Sequence, residues 1–167
     1  LEWQHVVKLH RTNPLTLRLE TREERADSTY YSENSFGPYS NVWSEHAART
    51  SSLYLQDQLT LWDAWFSTAG VRIDEHSQFG SEATYRFTSA YHFKQSGTKI
   101  KGSYGTGFKA PSLFQLYDPA NGNTNLKPEE SVGWDLGIEQ KLADNKVNLG
   151  VVYFNNDFKQ LIDWQLL

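Results

Sequence analysis

Residues 131–156 read SVGWDLGIEQKLADNKVNLGVVYFNN, and this stretch decides the fold class. Val132, Trp134, Leu136 and Ile138 alternate with Gly133, Asp135, Gly137 and Glu139. Beyond Ala143-Asp144-Asn145, Val147, Leu149, Val151 and Tyr153 alternate with Lys146, Asn148 and Gly150. Successive side chains of a strand point to opposite faces, so each run presents one apolar and one polar face. A tight turn between two such runs makes a hairpin.

The same period continues toward the N-terminus. Leu15, Leu17 and Leu19 alternate with Thr16, Arg18 and Glu20, whereas a helix would scatter these leucines around its axis. Tyr85, Phe87, Tyr91 and Phe93 oppose Thr84, Arg86, His92 and Lys94. Eight strands are predicted, near residues 2–10, 15–26, 47–61, 64–74, 82–94, 98–106, 131–142 and 146–156. Many exceed the roughly 5–6 residues usual in soluble proteins. They approach the roughly 9–11 that a tilted bilayer-crossing strand needs.

The connections alternate in length. Those at 11–14, 62–63, 95–97 and 143–145 are short. Those at 27–46 and 107–130 are long, and 75–81 is intermediate. Outer-membrane barrels keep short turns at the periplasmic end and long loops outside. Asp57 interrupts the apolar face of Leu53, Leu55, Leu59 and Leu61. Either a bulge near Gln56–Gln58 shifts the register, or Asp57 lies outside the apolar band.

Bulk properties agree. The chain has 167 residues, no cysteine and a net charge of −4. That excludes disulfides and thiolate chemistry, and no basic stripe points to nucleic acid. No apolar run reaches the roughly 20 residues of a membrane-crossing helix. The mean hydropathy of −0.63 hides barrel strands, whose two faces cancel. The chain starts at Leu1 and contains no methionine, so an excised piece of a longer polypeptide is expected.

No catalytic or metal site is expected. The histidines, His5, His10, His46, His76 and His92, form no His-x-x-x-His pair. Glu20, Glu23 and Glu24 beside Arg18, Arg22 and Arg25 are read as a charged inner wall paired across strands. Gly102, Gly105 and Gly107 lack the Gly-Lys-Ser/Thr of a phosphate loop, and bending or close approach explains them better. Aromatic residues in the long connections are the candidate ligand contacts: Tyr31, Phe36, Tyr39 and Trp43 in the first, Phe114 and Tyr117 in the last. Packing among themselves or at the membrane boundary is the equal alternative.

Specific strings narrow the class. GSYGTGFKAPSLFQLYDPANGNTNLKPEESVGWDLGIEQ, from Gly102, resembles the C-terminal barrel region of TonB-dependent outer-membrane receptors. LYLQDQLTL from Leu53 and STAGVRIDEHSQFG from Ser67 resemble further receptor strands. FNNDFKQLIDW from Phe154 is similar to a late strand of receptors for vitamin B12 and catecholate siderophores. Thr124 stands where the family often has proline. Within the string, Pro111 is expected to open a helical turn and Pro128 to precede a strand.

The resemblance implies an antiparallel transmembrane β-barrel of 22 strands, of which residues 1–167 supply about eight. It implies a parent protein in the bacterial outer membrane, surrounded by lipid and without a cofactor. Its cargo would be a metal chelate: ferric siderophore, cobalamin or haem. An N-terminal plug domain elsewhere in the parent chain would link the barrel to TonB, and the terminal aromatic strand is not recognisable at Leu166-Leu167. Two other architectures share the alternation: a complete eight-stranded outer-membrane barrel of structural or adhesin type, and a soluble carbohydrate-binding β-sandwich.

Overall fold

A computed structural model describes residues 1–144 and 146–163. The strands are β1 (Glu2–His10), β2 (Asn13–Asn34), β3 (Gly37–Leu61), β4 (Trp65–His76), β5 (Gly80–Phe93), β6 (Thr98–Lys109), β7 (Glu129–Leu142) and β8 (Val147–Lys159). One short helix, α1 (Leu113–Tyr117), lies between β6 and β7. The strands form one antiparallel sheet in sequence order, and β1 does not pair with β8. A closed eight-stranded barrel requires that pairing and a sandwich requires a second sheet, so neither architecture is present among the described residues.

Register separates the two faces. Trp65, Tyr91, Ile100, Ile138 and Val151 form one continuous cross-strand row. Their exposures run from 38% to 71%, and Leu136 and Leu149 each reach 57%. A row on the opposite face is polar: Arg18, Tyr54, Arg72 and Thr84. The chain exposes 12259 Å², whereas a soluble monomer of 19.2 kDa would expose about 8,400 Å². No large side chain among the described residues is fully buried. The apolar face is thus an outer surface for acyl chains, not half of a protein core.

The outer face is bounded at both ends. Near the short turns, Trp62 and Trp65 stack at 6.2 Å, and Tyr91 meets Phe93 at 4.6 Å. Toward the other end, Tyr85 contacts Tyr104 at 6.0 Å and Trp134 contacts Tyr153 at 5.4 Å. Aromatic rings suit the interface because one end is apolar and the other wet. Above Leu19 and Leu53 the outer face becomes charged. There Arg49 reaches Glu23 at 3.3 Å and Arg25 reaches Glu45 at 3.4 Å.

That outer lattice corrects part of the predicted inner wall. Glu20 and Glu24 do face inward, but Glu23 and Arg25 lie on the opposite face, because odd and even positions of one strand diverge. The inner lattice consists of Arg18 with Glu2 and Glu20 (both 3.0 Å) and Arg72 with Glu20 (3.3 Å) and Asp74 (2.9 Å). Farther along, Lys101 pairs with Glu139, and Ser103 donates to Asp135. Asp57 is also settled. The β3–β4 register runs unbroken past it, so no bulge lies near Gln56–Gln58. Asp57 keeps its place on the outer face near the short-turn end, where Asn13 Nδ2 donates to its Oδ1 at 2.9 Å.

The predicted first loop, residues 27–46, is a correction of a different kind: it is strand. β2 continues to Asn34 and β3 begins at Gly37. Thr29, Tyr30, Tyr31, Tyr39 and Val42 favour an extended chain although the segment is polar overall. A two-residue turn, Ser35-Phe36, suffices because Gly37 takes φ 109° and Asn34 Oδ1 accepts from the Phe36 amide at 2.9 Å. The end-to-end asymmetry survives as a projecting hairpin instead of a slack loop. Pro111, too, stands outside its helix. Ser112 is the N-cap, and its hydroxyl accepts from Gln115 N while Gln115 Oε1 accepts in return from Ser112 N. Pro128 directly precedes β7 as expected. The turn residue Asn145 and the C-terminal Leu166-Leu167 lie outside the described residues.

Candidate functional site

The hairpin of β2 and β3 projects past the apolar band, and a bulge turns its upper half. Ala26 pairs with His46, but Ser28 pairs with Trp43, so Asp27 faces both Ser44 and Glu45. The extra residue moves the odd positions of β3 to the inner face. Trp43 therefore joins His46 and Ala48 on one side, although strict alternation would separate them.

The segment after β6 folds back onto that inner side as a strap. Leu113 packs against Trp43 and Ala48, with Ala26 and Tyr117 at the margin. Tyr117 stacks on His46 at 3.8 Å and an interplanar angle of 3°, and His46 in turn lies 5.8 Å from Trp43. Gln78, in the β4–β5 turn, donates from Nε2 to the Tyr117 hydroxyl at 3.0 Å. Asn41 donates from Nδ2 to Asp118 Oδ1 at 2.6 Å. Three separate elements thus meet at the strap.

Asp118 is the polar centre of this meeting and is only 3% exposed. The Asn41 amide holds its carboxyl below the ordinary aspartate range, aided by the Asn121 backbone and side chain, against the opposing effect of burial. Asn121 N reaches Oδ2 at 2.9 Å, and Asp118 N caps α1 by donating to Phe114 O at 3.0 Å. Lys109 and Glu129 close the base of the strap at 3.0 Å. Beside it, burial lowers the pKa of His76, whose Nδ1 accepts from Gln78 N at 3.2 Å.

The predicted aromatic residues divide accordingly. Trp43 and Tyr117 come together, through His46. Tyr39 lies on the same face and meets Tyr30 at 6.1 Å. Phe36 is at the hairpin tip, 99% exposed, and Phe114 is half-exposed on α1. Tyr31 pairs with Ser40 on the outer side and does not converge with the others. Sequence reasoning passed over Asn41, Gln78 and Asp118, and it read His46 as an ordinary histidine. Only a reading that allowed a bulge would have placed Asn41 and Trp43 beside His46.

Among the described residues no cluster of His, Cys, Asp or Glu could hold a metal. The arrangement can grip a large ligand by ring faces and neutral hydrogen-bonding groups over a charged inner wall. It contains no evident nucleophile–base pair.

Residues 3–167 match the family model "TonB dependent receptor-like, beta-barrel". Over 78 residues the chain is 42% identical to the vitamin B12 transporter BtuB of Vibrio cholerae, a match that covers 46% of the chain and 12% of the relative. It is 30% identical over 122 residues to the vitamin B12 transporter BtuB of Photobacterium profundum, covering 73% of the chain and 20% of the relative. Among solved structures it resembles the ferric enterobactin receptor PfeA of Pseudomonas aeruginosa, with TM-score 0.74, 26% identity, and coverage of 95% of this chain and 26% of that one. The siderophore receptor PirA of the same organism gives TM-score 0.72 and 26% identity over 94% of this chain and 30% of that one. The matched stretches thus cover only between about an eighth and a third of the length of these proteins. It belongs to the TonB-dependent receptor-like β-barrel family, as a partial wall of the transmembrane barrel that such proteins set in the bacterial outer membrane.

Proposed function

We propose that residues 1–167 form wall and extracellular elements of the barrel domain of an active transporter for a metal chelate: ferric siderophore, cobalamin or haem. The observation that carries this reading is the strap folded onto the projecting hairpin, which gathers Trp43, His46 and Tyr117 over a polar inner wall. Tyr39 and Phe114 lie on the same side, Phe36 stands at the hairpin tip as an outer contact, and Tyr31, on the hairpin's outer face, is set apart from them. The ligand is captured on these surfaces. Passage then depends on an N-terminal plug domain of the parent chain and on energy delivered to it through TonB. The wall supplies a charged bore and a lipid-facing exterior, and it performs no chemistry.

Similarity to vitamin B12 transporters by sequence and to siderophore receptors by shape supports this class of cargo. The test is growth of a receptor-deleted strain carrying the full-length gene on cyanocobalamin, ferric enterobactin or haem as limiting nutrient. Rescue by one of these that disappears when TonB is deleted is expected. Rescue by none, or rescue indifferent to TonB, would refute the reading.

A further inference from the structure

Three buried side-chain polar atoms lack a hydrogen-bond partner among the described residues: Arg18 Nε, Asn41 Oδ1 and Trp43 Nε1. Two of the three lie on one face of β3. Asn41 and Trp43 are two positions apart above the bulge, so both face the strap. Trp43 is 9% exposed. Buried indole N–H groups ordinarily find an acceptor, so an unpaired one asks for an explanation.

The orientation of the Asn41 amide follows from chemistry. Asp118 presents an ionised carboxylate, which only accepts, so the NH₂ end must face it and the carbonyl oxygen is left free. The site therefore offers one free donor, the Trp43 indole, and one free acceptor, the Asn41 carbonyl. An anion could satisfy the indole but not the carbonyl, and it would sit beside the carboxylate of Asp118. A cation could satisfy the carbonyl but not the indole. The complement is a neutral group that accepts and donates together.

We propose that Asn41 and Trp43 form a recognition site for a primary carboxamide or un-ionised hydroxyl of the transported ligand, covered by α1 until the ligand arrives. This rests on the preceding reading of the chain as part of a chelate transporter, and it selects between cargo classes. The rim of cobalamin carries primary carboxamides, each with a donor and an acceptor on adjacent atoms. The oxygens of a ferric catecholate are ionised and metal-bound, so they accept only. The site fits the first and rejects the second. The cover is slight: α1 is five residues long, and its hold on the hairpin is the Tyr117–His46 stack, the Asn41–Asp118 bond and the Leu113 contact. A carboxamide arm that lifts Tyr117 off His46 reaches both free groups.

Trp43→Phe removes the donor and keeps an aromatic ring, and in the purified full-length receptor it is compared with wild type for equilibrium binding of cyanocobalamin and of ferric enterobactin. The expected result is cyanocobalamin binding weakened at least tenfold by the substitution. In wild type substituted with fluorotryptophan, the ¹⁹F resonance missing from Trp43→Phe should move on adding cyanocobalamin and stay in place with ferric enterobactin. Unchanged cyanocobalamin affinity with an unmoved resonance would mean a structural water only, and the site would be wrong. Binding of ferric enterobactin alone would overturn the site and keep the transporter reading. Binding of neither compound, with no growth rescue by haem, would sink both.

Discussion

Val151 and Val152 are the same residue type at adjacent positions of β8, and the fold assigns them opposite environments. Val151 lies in the outer row opposite Ile138, 71% exposed, whereas Val152 lies opposite Gly137 on the inner face, 48% exposed. A valine side chain transferred wholly from water to an apolar phase gains about 1.5–3 kcal/mol, so the exposed share of Val151 is worth about 1–2 kcal/mol against acyl chains. Arginine at this position forfeits that contact and adds the cost of a guanidinium in hydrocarbon. The total is about 2–4 kcal/mol near the bilayer midplane. Val152→Arg projects into the bore near Lys101, whose charge Glu139 already balances, and should cost less than about 1 kcal/mol. The assay is urea titration of the full-length barrel in phosphatidylcholine vesicles, followed by tryptophan fluorescence. Equal destabilisation by the two variants, or a larger effect at Val152, would refute the assignment of faces on which the description of the wall depends.

Asp118 should make strap docking pH-dependent. Its carboxyl pKa is depressed in the folded state, so the stabilisation is complete above the ordinary aspartate value and is lost as pH falls through the folded one. Hydrogen exchange at the Asn121 amide, which donates to Asp118 Oδ2, should accelerate below about pH 4 in wild type once its intrinsic pH dependence is divided out. Asp118→Ala should accelerate it roughly tenfold at pH 7. His76 has the opposite charge type and a depressed pKa from burial. Its neutral form holds the β4–β5 turn, and that hold weakens as pH drops below about 6.5 toward the folded value. Hydrogen exchange at Gln78 should therefore be faster at pH 5 than at pH 7.5, once the intrinsic pH dependence of exchange is divided out, and His76→Gln should flatten the difference. Ala143 adopts φ 50°, so Ala143→Gly should stabilise the barrel by about 1 kcal/mol in the same urea titration. Asn13→Leu strips the amide from Asp57 on the lipid side and should cost about 1–3 kcal/mol, while the double variant with Asp57→Leu should recover most of it.

The wall was legible because its two solvents differ so sharply. Lipid outside and water inside impose a two-residue period that survives any local irregularity too small to turn a whole strand over. Leu15 to Leu19 and Val132 to Ile138 could be assigned to faces without coordinates for that reason. Above the membrane both faces of the hairpin meet water, the contrast vanishes, and residues 27–46 read as loop although their β-branched and aromatic residues form strands. The bulge at Asp27 is invisible to periodicity for the same reason, since no apolar face exists there to be interrupted.

That single inserted residue shapes the candidate site. Counted from Leu53 without a bulge, Trp43 falls on the outer face with Leu55, and His46 falls on the inner face alone. With Ser44 and Glu45 sharing one partner, Asn41 and Trp43 turn inward to meet Asp118, Leu113 and Tyr117. A candidate list drawn from aromatic composition therefore found Trp43 and Tyr117 but could not pair them, and it had no means of finding Asn41 or Asp118. Bulges are enriched at barrel rims because they re-aim side chains at the cost of one ladder position. Here the re-aimed residues carry the free donor and acceptor, so inserting one alanine after Asp27, which gives Ser44 and Glu45 a partner each, should return Trp43 to the outer face and separate it from His46. The consequence is measurable without knowing the ligand. The insertion should expose the Trp43 indole to aqueous quencher and open the base of the strap to trypsin at Lys109, while the wall below Thr21, governed by its own contrast of solvents, keeps its stability in urea.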